Sequence, residues 1–203
     1  MSYTKIIVHI FLTICISSLA QTSLYLNHEL QNQALARHGS QDADQEYQEL
    51  AEEAFNDVGI PGEERTTIKQ LSPLSIDYTY AAACTCAGQI FVNQPYLQQC
   101  STASRRMTMF HEVFHKLQTD ANGKINCINP TYQHPEKEAD LKGALAGNCY
   151  KCTRALAAAR PSKKSTTTKA LRELANGYAT REELLVIAAQ QKASGALCKY
   201  HKK

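Results

Sequence analysis

His111-Glu112-Val113-Phe114-His115 sets two imidazoles four residues apart with a carboxylate between them, inside a stretch, 102–119, that holds no glycine or proline. On a helix, residues i and i+4 share a face, so His111 and His115 can each give a ring nitrogen to one metal ion. Glu112 does not reach the same ion easily and is free to handle the proton of a water held there. Further along, Glu136-Lys137-Glu138-Ala139-Asp140 reads as ExxxD. It offers Glu136 as a third ligand and Asp140, one turn later, as a carboxylate supporting the ligands from behind. A catalytic zinc usually takes three protein ligands and leaves one position for water, whose pKa falls to about 7. Glu112 would take that proton and pass it to the leaving amine. Glu138 is the alternative third ligand. It lies about 200° round the helix from Glu136, however, and has Lys142 rather than a carboxylate four residues on.

The HExxH and ExxxD pair resembles the gluzincin clan of zinc metallopeptidases. The Glu-x-Glu-Ala-Asp wording is closest to the HtpX-like branch and to small secreted minigluzincins. The likeness covers residues 88–147. It implies a Zn2+ ion held by His111, His115 and Glu136, with Glu112 as the catalytic base. It also implies that Asp140 receives the second ring N–H of His111. In such enzymes the strand before the HExxH helix is a sheet edge that pairs with the backbone of a peptide or protein substrate. Gln89 to Asn93 would serve here, or be a plain sheet strand. A second donor to the developing oxyanion is expected, from among Tyr132, His134, Tyr150, Arg154, Tyr178 and His201.

Size and charge bound the rest. The chain has 203 residues, 43% hydrophobic and 20% charged, which suits one globular domain. A net charge of +3 is too small to imply a nucleic-acid partner. Residues 41–65 are acidic and 151–203 basic, which reads as solvated helical faces. Lys5, the apolar run Ile6 to Leu19 and Ser18-Leu19-Ala20 form a secretory signal, residues 1–20, cut after Ala20. An uncleaved anchor is the alternative, but the run is short for a span of roughly twenty residues. No other segment could span, so the enzyme is expected to be secreted or periplasmic, without a stable membrane span after cleavage. Eight cysteines less Cys15 leaves seven in the mature chain, a density suited to an oxidising compartment and at least two disulfides. Cys84-x-Cys86 with Cys149-x-x-Cys152 could instead build a four-thiolate zinc site.

The elements that must position these residues follow from periodicity. Residues 21–41 are polar without a clear period and read as a flexible or pro-segment, leaving 42–203 as the metallopeptidase domain. A helix is expected over 42–58, strands over 66–71, 75–80 and 88–93, and a tight connection over 81–87. The helix over 102–119 carries one buried stripe, Met107, Phe110, Phe114 and Leu117, and shows its histidines at a cleft. After a loop over 120–134, Pro135 suits the first position of a new helix. The small residues Ala139, Gly143, Ala146 and Gly147 would let that helix approach the HExxH helix closely. Helices over 152–160, 166–176 and 180–193 follow, the last opened by Thr180 with Glu183 at capping-box spacing. The fold class is α+β, a small antiparallel sheet packed on a helical zincin-like core with a helical C-terminal part. Two other functions fit the same residues. One is a disulfide-stabilised secreted binding protein with a non-catalytic metal site. The other is a zinc hydrolase of a non-peptide substrate.

Overall fold

The computed structural model of the chain describes residues 29–79, 81–121 and 135–195. The expected signal, the 122–134 loop with Tyr132 and His134, and His201 lie outside them. The helices are α1 (residues 29–38), α2 (Gln45–Val58), α3 (Gln94–Leu97), α4 (Thr102–Ala121), α5 (Pro135–Gly147), α6 (Tyr150–Ala159), α7 (Thr168–Ala175) and α8 (Arg181–Ala193). The strands are β1 (Lys69–Gln70), β2 (Ala83–Cys86) and β3 (Gln89–Val92). Mixed helix and sheet, mostly helical, is the observed class. No helix among the described residues is long and apolar enough to cross a membrane.

The sheet departs from expectation in three ways. It is mixed rather than antiparallel: β1 runs parallel to β3, and β2 antiparallel to it. Its order is β1-β3-β2, so β3 is central and both its edges are used. Of the two roles weighed for Gln89–Asn93, the substrate-pairing edge is therefore not open to it, and the plain sheet strand remains. Finally, 81–87 is no mere connection, because Ala83–Cys86 is a strand and the turn is only Ala87-Gly88. Both turn residues have positive φ, 54° and 72°. That conformation matches the twist of a two-residue hairpin. Ile76–Thr79, read as a strand from alternating Ile76 and Tyr78, is instead a 3₁₀ turn. Ser75 decides this locally. Its carbonyl accepts from the Tyr78 N–H at 3.1 Å and its hydroxyl from the Asp77 N–H at 3.3 Å. Such short-range bonds compete with a strand ladder.

Residues 29–38, expected to lack a period, are helical. Leu30 and Ala34, four apart, join Leu71 and Phe91 in a small apolar cluster on the sheet, and His38, four further on, is also buried. The larger core lies between α2, α4, α5, α6 and α8. Helix α4 runs through it and is not one-sided as expected. Met107, Met109, Phe110 and Val113 are all buried, whereas Phe114 is only partly so. A helix apolar around most of its circumference is a central one. Arg106 ties three helices at its N-terminal end. Its guanidinium donates to Glu53 of α2 at 2.7 and 3.0 Å and to the Gly147 carbonyl of α5 at 3.0 Å.

The small residues of α5 act as expected. A methyl group on Gly143 would stand 3.3 Å from the carbonyl carbon of Phe110 and 3.4 Å from the His111 nitrogen. The α5 backbone thus lies directly on the backbone of the HExxH turn. Helix α8 opens with the Thr180–Glu183 capping box, and Glu183 also meets Lys137 of α5 at 2.7 Å. We expect Gly143→Val to force α5 off α4, with a loss of about 1–3 kcal/mol. Chemical denaturation should show it as a lowered midpoint at unchanged slope.

Candidate metal centre

Four residues of α4 and α5 meet where the two helices touch. His111 and His115 stand one turn apart on α4, as their spacing requires, and Glu136 comes from the first turn of α5. One carboxylate oxygen of Glu136 lies 3.1 Å from His111 Nε2 and 3.4 Å from His115 Nε2. The two Nε2 atoms are 2.9 Å apart. All three residues thus aim a donor atom at one point. The opposite ring nitrogens are anchored elsewhere. His111 Nδ1–H donates to Asp140 Oδ1 at 2.9 Å, and His115 Nδ1–H to Gln118 Oε1 at 2.8 Å. With both Nδ1 atoms so engaged, both Nε2 atoms are left as the ligand atoms. Gln118 is itself oriented, because its amide donates to the Pro135 carbonyl at 3.1 Å and to Glu138 at 3.0 Å.

Asp140 is 0% exposed. A bare carboxylate in that position would be very costly, so it must be paired. Arg160, just past the end of α6, holds it with two bonds of 2.7 Å, and the Ala179 N–H adds a third donor at 3.2 Å. Burial alone would raise the Asp140 pKa, but His111 and Arg160 outweigh it and hold it below the ordinary range. Glu136 follows the same rule: burial raises it, and hydrogen bonds from both histidines outweigh that and bring it below the ordinary range. For His111, burial works towards the neutral ring, yet the charge and hydrogen bond of Asp140, with Glu136 and Glu112 behind, push its pKa well up. These shifts are those of a protonated His111 paired with carboxylates, and a metal ion at the cluster would have to take the place of that proton.

Glu112, next along α4 from His111, meets β2 of the sheet. It is buried, and the Thr85 hydroxyl of β2 donates to its carboxylate at 2.8 Å. Thr85 also lies 3.0 Å from the Glu112 backbone carbonyl, so β2 fixes both ends of the residue. Glu138 takes no part in the ligand cluster. It pairs with Lys142 and receives the Gln118 amide. Among the described oxyanion candidates, Tyr150 and Arg154 contact each other. Tyr178 instead reaches the site: its ring stacks on His111 with centroids 6.1 Å apart and planes 16° apart, and the Arg160 guanidinium lies 4.4 Å from the Tyr178 ring centroid. Burial and the nearby Glu136 charge drive the Tyr178 phenol far up, so it keeps its proton.

Sequence reasoning missed Arg160, Gln118 and Thr85. Gln118 had a signal, since it follows His115 by one helical turn. Arg160 and Thr85 had none, being ordinary residues far along the chain from the groups they hold. The four-thiolate alternative is not assembled: no metal-capable group among the described residues joins the Cys84 strand to Cys149 and Cys152, and Cys86 is disulfide-bonded. Comparison with models of known protein families, with curated proteins and with solved structures finds no match to this chain.

Zinc titration of three variants checks the assignments within the cluster. Asp140→Asn should weaken binding by about 10–100-fold, as loss of an orienting carboxylate does. Glu136→Ala should weaken it at least as much, while Glu138→Ala, which breaks an exposed ion pair and leaves Gln118 its bond to the Pro135 carbonyl, should leave it nearly unchanged. The reverse order for the two glutamates would place the third ligand at Glu138.

Proposed function

We propose that this chain is a zinc-dependent endopeptidase of the gluzincin type, exported with residues 1–20 removed. The two or more disulfides expected from the cysteine count are not part of the reading, since Cys84, Cys100, Cys149 and Cys152 are all free thiols. The observation that carries the reading is the convergence of His111, His115 and Glu136, with Asp140 behind the first histidine and Glu112 on the same helix. Two imidazoles and one carboxylate suit zinc, and three ligands are the number a catalytic site uses. Bound there, zinc would supply Lewis acidity towards a water and a carbonyl oxygen.

The chain's own groups do the remaining work. Glu112 accepts the proton of the attacking water and returns it to the amine that leaves. Thr85 keeps its carboxylate from rotating away between the two transfers. Tyr178, still protonated, can donate a hydrogen bond to the oxyanion that develops on the scissile carbonyl. Asp140 and Gln118 hold the two rings in the tautomers that present Nε2. A structural metal site has no use for Glu112, and this favours a hydrolase over a binding protein.

A mixed peptide library offered to the wild type and to Glu112→Gln tests the reading. Wild type should cleave, and the variant should bind zinc normally while losing about 10²-fold or more of the rate. Activity retained within a few-fold would remove Glu112 from the mechanism. Cleavage of esters or other bonds with the library left intact would instead favour a non-peptide substrate. Tyr178→Phe should keep the metal and lower kcat by about 10²–10³-fold, the cost of one oxyanion donor.

A further inference from the structure

A second group of metal-ligating side chains lies on the other side of the sheet, away from the cluster on α4 and α5. His38 closes α1, Asp77 sits in the 3₁₀ turn Ile76–Thr79, and Cys84 is on β2. One ring nitrogen, one carboxylate oxygen and one sulfur from the three lie within 4.8 Å of one another. His38 is 3% exposed. Its Nδ1 is 3.1 Å from the Ser75 hydroxyl and 3.3 Å from Asp77 Oδ2, while its Nε2 is buried without any hydrogen-bond partner. Nδ1 is thus the ring nitrogen on the Asp77 side of the imidazole. Phe91 packs against the ring at 5.1 Å and offers no acceptor or donor.

We propose that His38, Asp77 and Cys84 form a second, separate site for a borderline divalent cation of the zinc class. Mixed nitrogen, sulfur and oxygen donors select such ions over magnesium or calcium. Binding forms a metal–sulfur bond and releases the thiol proton to solvent, with no change of oxidation state. Without a cation the thiol stays protonated, since burial and then the charges of Glu112 and Asp77 raise its pKa far above the ordinary value. The Asp77 side chain is 41% exposed, which leaves the ion a way in from solvent. The three ligands come from α1, a turn and β2, so an ion there would clamp the N-terminal helix to the strand. Cys84 directly precedes Thr85, the residue that holds Glu112. The inference does not depend on the peptidase reading, because it shares no ligand with the first site.

Cobalt titration of the metal-free full-length chain tests it. Wild type should take up a second equivalent and develop a near-ultraviolet thiolate-to-cobalt charge-transfer band. His111→Ala/His115→Ala should lose one equivalent and keep the band. Cys84→Ser should lose the band and keep the other equivalent. Asp77→Asn, a change at a half-exposed position with little risk to folding, should weaken the band-forming site by about tenfold or more. A wild type without the band, or a band that survives Cys84→Ser at full strength, overturns the second site.

Discussion

The buried Asp140 carboxylate is the interaction on which the helical half of this protein depends. It has no access to water, so its charge must be met entirely by the chain. The donors arrive from three places: His111 on α4, Arg160 after α6, and the Ala179 N–H ahead of α8. Any arrangement of these helices that failed to bring those groups together would strand a charge in the core. The penalty falls on every misassembled alternative and not on the native one. The same carboxylate fixes the tautomer of His111 and leaves its Nε2 facing Glu136. Stability and ligand geometry therefore rest on one group.

Helix α4 serves two layers at once. On one side α5 lies against its backbone, which only the absence of a side chain at Gly143 allows. That approach carries Glu136 and Asp140 to the two imidazoles. Through β2 the sheet reaches the intervening residue, Glu112, and holds it with the Thr85 hydroxyl. Adjacent residues on a helix point about 100° apart, so neighbouring functions can be supported by different elements. The candidate ligands are held by helices and Glu112 by a strand. On the peptidase reading, this separation would let Glu112 be positioned without competing for the ion.

Function here is carried by the site rather than by the fold. HExxH is a short motif, and its meaning comes from what surrounds it. Here each ring nitrogen not aimed at the cluster has a named acceptor, and the acceptors are held in turn. An accidental pair of surface histidines would not require that second layer.

Local geometry made much of this legible in advance. The four-residue spacings of His111 with His115 and of Glu136 with Asp140 are set by the helix repeat, so each pair shares a face wherever the helix goes. Pro135 at a helix start and the Thr180–Glu183 box depend only on a few neighbouring residues, and both are where the sequence puts them. Three things needed the tertiary structure. Helix α1 is stabilised by burial of its apolar residues on a sheet formed much later in the chain. The order β1-β3-β2 depends on which strand edge remains after pairing, and a strand's own alternation is silent on that. The partners Arg160, Thr85 and the His38–Asp77–Cys84 group are separated from what they touch by many residues and several turns. Periodicity records the short-range backbone repeat, whereas the choice of partner across the fold is decided by packing, burial and the need to satisfy every charge taken out of water.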